Sequence, residues 1–268
     1  MTTINGLEAL AAMTYPGRFI ILGRDKSQEQ GYVAVYGMTG RSPENRARSL
    51  GKIGSSLSKT GLSVTVHPLA NSVVDKSRHL YTAMHIDSSL AVGNGEHVED
   101  IRTWLGSQSR PTDVLVKALH KWDCEDVQPN YTPRIGGCII KDELAFSIIR
   151  RIGETEKEIE VIPGQTERRE VPISSRAYFE FPLERGVGYL IATYNGHTTR
   201  KHHVPPFQGE PRIVTLDFGN ARKLAKAVYD VLAPEEGHPD LRIGVAAAYR
   251  RPQRHDVSII NVHKKARR

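Results

Sequence analysis

The sequence predicts an α+β fold in which two sheets face each other and helices lie outside them. Three observations carry this. Strand-like runs come in blocks on either side of a pair of helical patterns near the middle of the chain, which is the order of an α+β protein rather than of alternating βαβ units. A third helical pattern sits late, before a last pair of strands. There is no internal repeat, no dinucleotide-binding glycine fingerprint and no P-loop to suggest another architecture.

From the N-terminus, Asn5 to Met13 reads as a short helix with an Asn cap, and Tyr15-Pro-Gly-Arg18 as a turn into the strand Phe19 to Leu22. Tyr32 to Met38 alternates and pairs with it as a hairpin. An arginine-bearing loop and then a Gly/Ser/Lys stretch follow, before strands near Leu62 to His67, His79 to Ile86 and Ser89 to Gly93. Asn94-Gly-Glu-His-Val-Glu-Asp100 opens a helix carrying Ile101, Trp104 and Leu105 on one side. Pro111 to Trp122 is a second helix, with Val114, Leu115, Ala118, Leu119 and Trp122 at helical spacing. Further strands are predicted at Arg134 to Lys141, Glu143 to Ile152, Glu158 to Ile162, Arg169 to Ile173, Tyr178 to Leu183 and Gly188 to Tyr194. Glu154 to Arg169 is dense in charge and reads as an exposed hairpin arm. Asp217 to Leu232 is a helix, followed by strands Leu241 to Tyr249 and Val257 to Val262.

The 268 residues suffice for one large domain with a substantial core, and 1–268 is taken as a single domain ending in a basic tail, 263–268. Hydrophobic residues at 39% and charged residues at 25% describe an ordinary globular chain. No apolar run approaches a membrane span and no secretory leader is visible, so the expected location is the cytoplasm and no membrane partner is expected. Cys124 and Cys138 lack the spacing or partners of a metal site, so a reducing compartment and plain packing are expected of them. A net charge of +7 favours anionic partners, nucleotides as readily as nucleic acid. Basic residues are spread through the chain and aromatics make up only 7%, without a stacking platform, which ranks nucleic acid well below a small nucleotide.

Candidate chemistry gathers first at Gly37-Met-Thr-Gly-Arg-Ser-Pro-Glu-Asn-Arg-Ala-Arg48, where a strand opens into a glycine-containing loop. Arg41, Arg46 and Arg48 offer forked donors to phosphate or carboxylate, and Asn45 adds an amide. Taken alone, the pattern favours a solvated basic turn. Asn94-Gly-Glu96 ends a strand and opens a helix, so it serves either a ligand or a helix cap. Asn130-Tyr-Thr-Pro-Arg-Ile-Gly-Gly137 is shaped for close backbone approach or for strand entry. Tyr194-Asn-Gly196 is also a common turn signal. Lys201-His-His203 is a basic patch, and Glu125 and Asp126 are candidate bases.

Together, Tyr15-Pro-Gly-Arg-Phe, Gly40-Arg-Ser-Pro-Glu-Asn-Arg46, Asn94-Gly-Glu96, Pro129-Asn-Tyr-Thr-Pro-Arg-Ile135, Ala192-Thr-Tyr-Asn-Gly196 and Phe207-Gln-Gly-Glu-Pro-Arg212 resemble the successive motifs of the IMP cyclohydrolase family of archaeal type and its bacterial relatives. The resemblance implies a four-layer αββα sandwich, N-terminal-nucleophile-hydrolase-like without autoprocessing. Thr2 precedes a helix instead of starting the first strand, which speaks against a threonine nucleophile. It further implies closure of 5-formamidoimidazole-4-carboxamide ribonucleotide (FAICAR) to IMP with loss of water, in purine biosynthesis. Nucleophile and electrophile are then one molecule, so the implied reaction calls for no metal or cofactor, and the task is positioning and proton movement. Carried over as substrate-binding residues are Arg18, Asn45, Arg46, Asn94, Arg134, Tyr194 and Asn195. Arg41 is assigned to the reaction centre, with Tyr81 or Tyr131 and Glu96 or Glu125 sharing proton transfer. In Leu80-Tyr-Thr-Ala-Met84, Thr82 stands where the family often has asparagine. A different step on a related purine ribonucleotide is the alternative. An exposed edge strand adds the expectation of a homo-oligomer.

Overall fold

The computed structural model describes residues 6–54, 61–69, 80–125, 131–195 and 204–263. Thr2, the proposed Asn5 cap, Asp126, Lys201-His-His203 and the tail beyond His263 lie outside them. The described chain is α+β, with two antiparallel sheets. One holds β1 (Arg18–Gly23), β2 (Tyr32–Thr39), β10 (Val187–Ala192), β11 (Arg212–Thr215), β12 (Arg242–Arg251) and β13 (Arg254–Asn261), in the order β11-β10-β1-β2-β12-β13. The other runs in sequence order through β3 (Arg48–Ile53), β4 (Leu62–Pro68), β5 (Tyr81–Ile86), β6 (Leu90–Gly93), β7 (Arg134–Ile140), β8 (Glu143–Ile162) and β9 (Gln165–Pro182).

β2 is central and buried along its whole length, since both of its faces are covered. Its even positions face the second sheet: the Tyr32 hydroxyl donates to the carbonyls of Asp87 and Ser89 at 2.9 and 3.2 Å, and Tyr36 reaches Tyr81. The opposite face must admit a large ring. A Cβ on Gly37 would come within 1.9 Å of the Phe19 ring, so only glycine fits there. At the far edge, Asn261 accepts from Leu50 N and donates to Leu50 O, joining β13 to β3 across the sheets.

The helices complete the packing. α3 (His97–Trp104) and α4 (Pro111–Leu119) lie against the second sheet, where Val98, Ile101, Val114, Leu115, Ala118 and Leu119 meet Cys138, Ala145 and Ile149. α5 (Ala221–Val231) starts at Asn220, whose Oδ1 accepts from Lys223 N at 2.9 Å, and packs on β12 and β13 through its apolar stripe, which includes Leu224, Ala225 and Val228.

Four sequence expectations change. The first helix, α1, spans only Glu8–Ala11. The arginine-bearing loop conceals α2 (Pro43–Arg46), and β3 runs from its last residue, Arg48, into the Gly/Ser/Lys stretch, where Ser49, Gly51 and Lys52 hide the strand signal. β11 starts at the last residue of a motif, and its four residues are too short a run to read as a strand despite the β-branched Ile213, Val214 and Thr215. The strands separately assigned near Glu158 and Arg169 belong to one continuous ribbon, because β8 and β9 pair from Glu143↔Pro182 out to Ile162↔Gln165. The charged exposed arm is that ribbon's outer part.

Candidate active site

Antiparallel pairing brings chemistry to one end of the facing sheets. Arg18 opens β1, Arg48 opens β3 and Tyr81 opens β5. In the β1–β2 register Arg18 lies opposite Met38 and Ile20 opposite Tyr36, so Arg18 and Tyr36 share the face that looks toward the second sheet. Between β2 and β3 the chain turns through α2, with Pro43 at its first position and Ser42 Oγ accepting from Asn45 N at 3.2 Å.

That turn places Asn45 between two arginines. Its Oδ1 accepts from Arg48 Nη2 at 2.5 Å and from Arg18 Nη2 at 3.4 Å, and its backbone carbonyl accepts from Arg48 Nε at 3.1 Å. Arg48 is 2% exposed. Burial, and then the neighbouring Arg18 cation, lower its pKa to about 10. For Arg18, burial pulls downward but is overcome by Tyr81, Tyr36, Tyr15 and the Glu125 carboxylate, and the net shift is upward. Both remain guanidinium ions at neutral pH. Two cations on one neutral amide, Arg48 buried and Arg18 partly buried, form a strongly electropositive point, suited to an anion or to an oxygen gaining negative charge.

Tyrosines surround it. The Tyr36 and Tyr81 hydroxyls are 2.7 Å apart. Burial raises the Tyr36 pKa well above that of a free phenol. Tyr15 stacks on Tyr194 with ring centroids 5.6 Å apart, and the Tyr194 hydroxyl lies 3.1 Å from Thr132 Oγ1. Burial also raises the Tyr194 pKa. Glu125 is held near by its backbone N–H, which donates to Thr132 O at 3.0 Å, and its charge acts on Arg18, Arg48 and Tyr194. Tyr131 adopts φ 42°, a left-handed conformation rare outside glycine, which sends its hydroxyl to Glu154 Oε1 at 3.0 Å and its ring beneath Arg151.

The structure therefore gathers Arg18, Asn45, Tyr81, Glu125 and Tyr194 from the predicted set. Arg41 stands beside them, its guanidinium 4.8 Å from the Tyr15 ring centre, lining a cavity of about 470 Å³ with Thr39, His238 and Leu241. Arg46 is exposed, and its carbonyl accepts from His263 Nε2. Asn94 has both amide functions engaged by backbone, donating to Pro133 O and accepting from Ile135 N, so it ties β6 to β7. Arg134 alternates to the helix side of β7, donating to Asp123 O at 2.7 Å and lying over Trp122. Glu96 is exposed and lines a cavity of about 580 Å³ with His67, Tyr81, Thr82, Asp100 and Trp122. Asn195 Oδ1 accepts from Gln208 N and closes a loop. Sequence reasoning misses Tyr15 and Tyr36, and it finds Arg48 only as a donor of the loop. The available signal is period-2 alternation, which puts Tyr36 on the same face as Tyr32.

Among the described residues no three or more His, Cys, Asp or Glu side chains gather as a metal site, and no helix is long and apolar enough to cross a membrane. The family model described as IMP cyclohydrolase-like protein matches residues 15–250. No curated protein matches the sequence.

Proposed function

The chain belongs to the IMP cyclohydrolase-like protein family, and from that premise we propose that it closes FAICAR to IMP in purine biosynthesis, in the cytoplasm. The observation that carries this reading is the convergence of Arg18 and Arg48 on Asn45 beside the Tyr36–Tyr81 hydroxyl pair. Ring closure needs little beyond a held conformation, stabilisation of the formyl oxygen as it gains charge, and groups that pass protons.

In the proposed sequence the carboxamide nitrogen attacks the formyl carbon, and the carbonyl π bond opens toward Arg18 and Arg48. Tyr81 gives its proton to that oxygen, and Glu125 takes one from the attacking nitrogen. The C–O bond then breaks as Glu125 returns its proton to the departing water, and the phenolate of Tyr81 takes the remaining proton from the former formamido nitrogen. Arg41, in the adjoining cavity, holds the 5′-phosphate. Tyr194 and Tyr15 form an aromatic wall. Glu125 is preferred to Glu96 as base because its charge reaches both arginines.

The same reading takes the chain as one domain with a four-layer αββα, N-terminal-nucleophile-hydrolase-like order that lacks a processed nucleophile. Sheets that face each other, with α5 on one and α3 and α4 on the other, support it. The exposed β8–β9 arm supports a homo-oligomer, and light scattering showing a monomer at micromolar concentration would remove that part.

The test is purified protein with FAICAR, followed spectroscopically for IMP, beside Arg18→Gln and Arg41→Ala. Turnover that collapses in Arg18→Gln, with KM rising in Arg41→Ala, supports the assignment. Tight IMP binding without turnover would keep the nucleotide site and discard the reaction in favour of another step on a related purine ribonucleotide.

A further inference from the structure

We propose that Tyr36 is a positioning residue for ring closure, donating its hydroxyl hydrogen bond to Tyr81 Oη so that Tyr81 presents its own proton to the substrate. The inference rests on the cyclohydrolase reading, and it starts from an asymmetry within the pair. Tyr36 sits mid-strand in β2 and is 0% exposed, whereas Tyr81 opens β5 and is 7% exposed. Their hydroxyls are 2.7 Å apart, and geometry alone leaves the donor undecided. Chemistry decides it. Among the described residues, the hydrogen bond of the Tyr36 hydroxyl runs to Tyr81 alone. Were Tyr81 the donor, the Tyr36 proton would be left inside the protein without an acceptor among the described residues, at the full cost of an unsatisfied buried group. With Tyr36 as donor that proton is satisfied, and the proton of Tyr81 is free to point away from the pair.

The arrangement also stabilises the state reached once the proton has moved. When Tyr81 passes its proton to the formyl oxygen, its own oxygen becomes a phenolate. The Tyr36 O–H then donates to a full negative charge, a stronger bond than the one it made to the neutral phenol. Burial keeps Tyr36 itself protonated, so it donates throughout and does not compete as an acid. An interaction that strengthens as charge develops lowers the barrier without tightening the substrate complex.

The experiment compares wild type with Tyr36→Phe, Tyr81→Phe and the double variant, measuring kcat and KM with FAICAR, IMP affinity by calorimetry, and thermal melting. Phe keeps the ring that packs in the core and removes only the hydroxyl. The expected result is a kcat about 10- to 100-fold lower in Tyr36→Phe, with KM and IMP affinity changed less than about 3-fold. The double variant should be no slower than Tyr81→Phe, because Tyr36 acts only through Tyr81. A purely structural role would lower melting temperature and kcat and raise KM together, or leave all of them unchanged, and either pattern overturns the proposal. So does a double variant slower than Tyr81→Phe by the full Tyr36 factor. Wild-type turnover alongside any of these failures leaves the cyclohydrolase reading standing. Absence of turnover in wild type overturns that reading, and the role of Tyr36 with it.

Discussion

Arg18 and Arg48 share one acceptor: both guanidinium groups reach Oδ1 of Asn45, at 3.4 and 2.5 Å. Two like charges so close, one buried and one partly buried, are retained at a cost to folding, and that cost can be measured separately from function. Arg48→Met loses its hydrogen bonds to Asn45 but relieves desolvation and repulsion. We expect folding stability to change by no more than about 1 kcal/mol while kcat with FAICAR falls roughly 100-fold. Denaturant melts beside steady-state rates test this, and a large stability loss with normal turnover would contradict it.

The imidazole of His97 predicts an acid sensitivity. It is fully buried, donates through Nε2 to Ile135 O at 3.0 Å, and has its pKa lowered from 6.5 to about 4 by burial and then by Arg134. Between these values the unfolded chain binds the proton and the folded one does not, so stability is present above pH 6.5 and is lost as pH falls toward 4. The loss is up to about 3 kcal/mol. His97→Gln, which keeps a donor but does not titrate, should flatten the change in melting temperature between pH 7 and 5.

At the opposite end of β1, Asp25 organises the start of α5. Its buried carboxylate accepts from Ser27 Oγ at 2.6 Å, Phe218 N at 2.7 Å and Tyr249 Oη at 2.8 Å. Burial works against its ionisation, but these donors prevail and its pKa is lowered. Asp25→Asn would turn an amide NH₂ toward donors and is expected to destabilise by about 2–4 kcal/mol. The folded fraction should keep wild-type turnover at 15 °C, since Asp25 is remote from Arg18 along the strand.

The β8–β9 arm lies beyond the reach of β7, whose pairing with β8 starts at Arg134↔Ile149. Val161 and Ile162 near its tip are exposed. Replacing 158–168 by Asn-Gly would join Lys157 directly to Arg169, its cross-strand partner, and leave the Tyr131–Glu154 contact in place. The shortened protein should melt within a few degrees of wild type and keep its kcat. Loss of higher-order species by light scattering would assign the arm to assembly.

What could be read from the chain itself was local and periodic. Alternation in Tyr32 to Tyr36, helical spacing from Val114 to Leu119 and ordered motifs from Tyr15 to Arg212 determined the α+β class, most elements and the family, because each depends on residues a few positions apart. β3 escaped because Ser49, Gly51 and Lys52 break its apolar alternation, and the unity of the arm escaped because charge masks its period. The site divided for a reason no local pattern contains. Arg46 and Arg48 look alike in sequence, yet Arg46 ends exposed and Arg48 buried, since Arg46 closes α2 and Arg48 opens β3. Arg134 and Asn94 sit in motifs like the others, but strand alternation and backbone pairing take one to the helix side and consume the other. Only the tertiary structure joined Tyr36 to Tyr81 and Arg18 to Arg48. Those pairs are made across two sheets, and their separation is set by how the sheets pack rather than by any spacing along the chain.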